Sequence, residues 1–80
     1  MRSPELKEWV NSLPKAPDEV KAKITSMPKR LKTELLYEAF IRNPKIKQIF
    51  DEGEGLPQGV RETNALVSYC NCLLYTSPSP

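Results

Sequence analysis

The chain has 80 residues, with 12 Lys and Arg against 10 Asp and Glu, a formal charge of +2 and no histidine. That length allows one small domain, whose single core supplies no more than about 3–5 kcal/mol. Without histidine the commonest general base at neutral pH is missing, and no apolar run approaches the roughly 20 residues of a membrane helix.

Proline placement predicts a succession of short helices. Ser3-Pro4-Glu5 offers an N-cap hydroxyl, a proline at the first helical position and an acid in the first turn. Leu6, Trp9, Val10 and Leu13 then fall at i, i+3, i+4 and i+7, and Pro14 stops this helix near Ser12. Pro17, Asp18 and Glu19 open a second helix. Its stripe is Val20, Ile24 and Met27, and it is expected to end around Thr25 or Ser26. A third enters at Pro28 and runs to about Arg42, the longest element expected. Its apolar face, Leu31, Leu35 and Ala39 widened by Leu36 and Phe40, is expected to be the centre of the core. Asn43-Pro44 starts a fourth helix, with Ile46, Ile49 and Phe50 at helical spacing and Gly53 at the position of a C-terminal glycine.

Gly53 to Gly59 holds three glycines and Pro57 and reads as a loop. It lacks the lysine of a phosphate-binding loop and follows a helix, not a strand. From Val60 the helical pattern resumes through Ala65, Leu66, Tyr69 and Cys70. The predicted fold class is all-α, a small bundle of about four short helices plus a truncated fifth. Its parts are a helical domain over 1–52, a Gly/Pro loop over 53–59, a helix start over 60–71 and a tail over 72–80.

The tail, Cys72-Leu73-Leu74-Tyr75-Thr76-Ser77-Pro78-Ser79-Pro80, resembles the in-frame translation of a transposon-end adapter used in sequencing libraries. That resemblance implies a non-native, disordered tail and a natural sequence that breaks off near Asn71. The Cys70/Cys72 pair is then an accident of fusion, and Cys70 reads as a small apolar residue on a helix face. No further cluster of metal-binding side chains accompanies it, so neither a metal nor another cofactor is expected.

Charge is uneven along the chain. Residues 1–50 carry 11 basic and 6 acidic side chains, a net of +5, and residues 51–71 carry a net of −3. Lys29, Arg30 and Lys32 form the densest basic cluster; Arg42, Lys45 and Lys47 form a second. Such clusters add salt-sensitive affinity for a nucleic-acid backbone, and they also serve as ordinary solvated helix surface. Trp9 and Tyr37 are the aromatic candidates for base stacking, but Trp9 lies on an apolar stripe that assigns it to the core. Glu34/Glu38 and Glu5/Glu8 have lysine neighbours at helical spacing and read as surface faces, not as catalytic pairs. No catalytic residue is assigned, and no small-molecule ligand is indicated.

Gly55-Leu56-Pro57-Gln58-Gly59-Val60-Arg61-Glu62-Thr63-Asn64-Ala65-Leu66-Val67-Ser68-Tyr69 resembles a stretch of the helical primase C-terminal module. That module links the primase-polymerase core to the helicase in replication proteins of phages and mobile elements. Arg61, Asn64 and Leu66 are the matching positions, and Glu62-Thr63 departs from the Asn that often follows the arginine. Asn43 to Phe50 is similar to a short segment ahead of helical regions in such proteins. The resemblance implies an accessory helical region of a DNA replication protein, acting by positioning and electrostatics. It would touch single-stranded DNA or an adjacent replication domain through Lys29, Arg30, Lys32, Arg42, Lys45, Lys47, Arg61 and Asn64. Two other readings stay open: a small helical module that binds another protein, and an N-terminal piece of an unrelated soluble enzyme. No secretory signal pattern is present, and a cytosolic location is expected.

Overall fold

The computed structural model describes residues 3–75. Five helices carry them: α1 (Pro4–Asn11), α2 (Pro17–Ser26), α3 (Lys29–Arg42), α4 (Pro44–Glu52) and α5 (Gln58–Tyr75). The expected all-α bundle is therefore the fold, and the described residues contain no strand.

Local chemistry sets the helix starts. Ser3 Oγ accepts from the Leu6 amide at 3.2 Å and Asn43 Oδ1 from the Lys45 amide at 3.1 Å, while Pro4, Pro17 and Pro44 occupy first-turn positions where no amide hydrogen is needed. The turn after α4 differs from the expectation. Gly53 does follow the helix, but its φ is −81°, and the left-handed residue is Gly55 at φ 99°. Gly53 is small for another reason: a Cβ there would lie 3.1 Å from Arg61 Cγ and 3.4 Å from the Phe50 carbonyl oxygen.

Three further expectations give way. The loop is shorter than 53–59, because Gln58 and Gly59 already belong to α5. The fifth helix neither starts at Val60 nor ends at Asn71; it runs 18 residues to Tyr75 and is the longest described element, ahead of the 14 residues of α3. No proline interrupts residues 58–75, and Leu73 and Leu74 continue the apolar period and pack against the core. Residues 72–75 are thus helical where a disordered tail was expected; residues 76–80 lie outside the described ones.

The third correction concerns the core. The α3 face is buried as expected, at Leu31, Leu35, Leu36 and Ala39, but α5 is the hub. It packs against α2, α3 and α4 and contributes Ala65, Leu66, Tyr69 and Cys70 to the interior, while α1 rests on α3. Trp9 is half-buried against the core, with Lys23 Nζ 5.4 Å from its ring centroid. Two carboxylates that read as surface are tertiary ties. Glu34 accepts from the Ser3 amide at 2.6 Å and the Ser3 hydroxyl at 3.1 Å, and Glu38 accepts from the Tyr69 hydroxyl at 2.8 Å.

Candidate nucleic-acid interface

Packing α2 against α5 creates a groove to which α3 contributes Lys32. Lys21 and Thr25 on α2 and Gly59, Val60, Thr63 and Asn64 on α5 line it, together with Lys32 and Pro57, around a volume near 440 Å³. A second depression shares Lys32 and Gly59 and adds Met27, Lys29, Gln58 and Glu62. Gly59 keeps the wall open, since nothing lies within 4 Å of where its Cβ would be.

The donors in this groove can be assigned. Thr25 Oγ1 donates to the Lys21 carbonyl and Thr63 Oγ1 to the Gly59 carbonyl, each at 2.9 Å. Both hydroxyl protons are used within their own helices, so these threonines offer lone pairs only. Hydrogen-bond donation to an anion falls to the ammonium groups of Lys21, Lys29 and Lys32 and to the Asn64 amide. Glu62, which accepts from Gln58 Nε2 at 3.2 Å, is the opposing charge. The charged donors thus come from α2 and α3, and the amide donor from α5.

Of the candidates read from sequence, Lys29, Lys32 and Asn64 meet here and the others do not. Arg30 forms a bidentate pair with Glu5 across α1 and α3, at 2.5 and 2.7 Å. That hydrogen bonding lowers the Glu5 carboxyl and raises the Arg30 guanidinium from their ordinary values. Lys47 pairs with Asp51 at 2.9 Å and sits 5.9 Å from the Phe40 ring centroid. Arg42 and Lys45 are exposed at the α3–α4 junction, and Arg42 is about 20 Å along α3 from Lys29 at 1.5 Å per residue. Arg61 is half-buried: its Nε donates to the Phe50 carbonyl at 3.1 Å and its guanidinium lies 4.3 Å from the Phe50 ring centroid. It ties the end of α4 to the start of α5.

Sequence reasoning missed Lys21, Thr25 and Thr63. Lys21/Thr25 and Gly59/Thr63 are i, i+4 pairs, each defining one polar face, but only the α2–α5 packing sets those faces opposite each other. Among the described residues no group of three metal-binding side chains gathers, and no helix is long and apolar enough to cross a membrane.

Cys70 is fully buried in the core, and desolvation, aided by the Glu38 charge, pushes its thiol up to about 12. An unfolded chain would ionise this thiol near 8.5, so the unfolded state sheds its proton first as pH rises. Stability is therefore expected to be unaffected by Cys70 below about pH 8.5 and to fall progressively from there toward pH 12. Urea midpoints measured across that range check this, with Cys70→Ala flattening the decline. Compared with known proteins, the chain matches no family model, no curated protein and no solved structure.

Proposed function

We propose that this chain is a helical accessory region of a phage or mobile-element replication protein that holds single-stranded nucleic acid along the α2/α3/α5 groove. The observation that carries the reading is that Lys21 and Lys32, from two helices, line a groove with Asn64, and that Lys32 also lines the adjoining depression with Lys29. The glycine-led turn into α5, with Arg61 in its first turn, supports the relation to the primase C-terminal module. In this account Arg61 positions α4 against α5, and the groove lysines neutralise phosphate.

Three lysines displacing counterions from a single strand give a slope of log affinity on log salt near −2. Binding of a fluorescein-labelled oligothymidylate, followed by anisotropy, is expected to weaken roughly 20-fold between 50 and 200 mM salt. Affinity that is absent at low salt, or flat across that range, would contradict the proposal. A protein-binding module is the second reading, and Tyr37 and Ile41, exposed at 67% and 79%, are the observation that favours it.

A further inference from the structure

We infer that Tyr37 is a base-stacking platform at the end of the lysine track, making the surface selective for unpaired bases. The inference rests on the proposed nucleic-acid reading and adds what that reading lacks, a contact that distinguishes a single strand from a duplex.

Continuity carries the argument. The depression holding Lys29 and Lys32 shares Gln58 and Glu62 with a neighbouring one lined by Tyr37, Phe40 and Phe50. The basic track and the aromatic hollow are thus one surface along the α3–α5 seam. Lys29, Thr33 and Tyr37 stand at i, i+4 and i+8, one row of α3 about 12 Å long at 1.5 Å per residue. A stacked strand rises about 3.4 Å per nucleotide along its axis, so the row spans roughly three or four stacked bases.

Charge sets the orientation. Glu62 between the two depressions repels phosphate, which keeps the backbone on the α3 lysine side and turns the bases inward over Gln58 and Glu62 toward the aromatic end. Tyr37 is the ring free to receive one. Phe40 and Phe50 are half-buried and committed to each other in an edge-on pair at 5.4 Å, whereas Tyr37 is 67% exposed. Stacking of this kind needs a base whose face is open and has little sequence preference, because every base presents a π-face. A tyrosine held on a helix does so at low conformational cost.

Three labelled probes with equal numbers of phosphates test this: an oligothymidylate, an abasic strand and a duplex. The protein is expected to bind the oligothymidylate at least about fivefold more tightly than the abasic strand. Tyr37→Ala should reduce oligothymidylate binding to the abasic level, and Tyr37→Phe should keep the preference. Far-UV circular dichroism confirms that both variants are folded. Equal binding of the two single strands by the unaltered protein overturns the inference, as does a preference that survives Tyr37→Ala. The latter is the result if this aromatic face serves a protein partner. Failure of the underlying reading looks different, since then no probe binds with salt dependence.

Discussion

Leu66→Ala is expected to unfold most molecules at room temperature. Leu66 is fully buried on α5, the helix that packs against α2, α3 and α4 at once. Truncating a buried leucine removes its transfer free energy and leaves a cavity, together about 2–5 kcal/mol. A single core of this size supplies only about 3–5 kcal/mol in total, so one substitution removes most of it. Urea unfolding followed by far-UV circular dichroism should show the cooperative transition shifted to very low denaturant or lost. A variant that keeps its midpoint within experimental error would mean that α5 is not the hub.

Arg61→Ala should cost about 2 kcal/mol of stability, the second large effect. Arg61 donates to the Phe50 carbonyl and lies over the Phe50 ring. A hydrogen bond from a charged group contributes about 1.5–3 kcal/mol, and a partly desolvated cation–π contact adds about 1, with the two not fully additive. Arg61→Lys should recover little, because an ammonium lacks the planar fork that stacks on a ring while donating sideways. The same urea melts read both variants. Anisotropy on molecules that remain folded distinguishes this role from phosphate contact. A groove lysine would leave stability intact and reduce the salt slope by about 0.7, the reverse of what Arg61 is expected to do.

The helices were legible because their boundaries are written in local chemistry. Ser3-Pro4, Pro17, Pro28 and Asn43-Pro44 each fix a start within a residue or so of the observed one, since a cap or a proline acts on its own turn. The α5 region was misread because Gly59 looks like loop sequence, yet a glycine in the first helical turn is easily accommodated. The helix also continues past Asn71 because Cys72, Leu73, Leu74 and Tyr75 present helical, apolar sequence that any preceding helix can extend.

Tertiary relations were hidden. Glu34 and Glu38 have the same local surroundings as solvated carboxylates, and only the fold brings Ser3 and Tyr69, each 31 residues away, to them. The candidate site divides along the same line. Lysine clusters could be counted from the sequence, but whether a charge is free depends on its neighbours in space. Glu5 occupies Arg30, Asp51 engages Lys47, and Phe50 holds Arg61. Lys21, outside both sequence clusters, reaches the groove because α2 lies against α5.

Location, more than total charge, is the core of the account, and paired neutralisation tests it. One variant replaces Lys21, Lys29 and Lys32 with glutamine; the other replaces Arg42, Lys45 and Lys47. Glutamine keeps good helix propensity, and both variants lose the same net charge. Measured by anisotropy on one oligothymidylate at several salt concentrations, the groove variant should lose nearly all salt-dependent affinity, while the distal variant keeps a slope near −2. Equal losses in the two, or a groove variant that binds like the unaltered protein, would contradict the account.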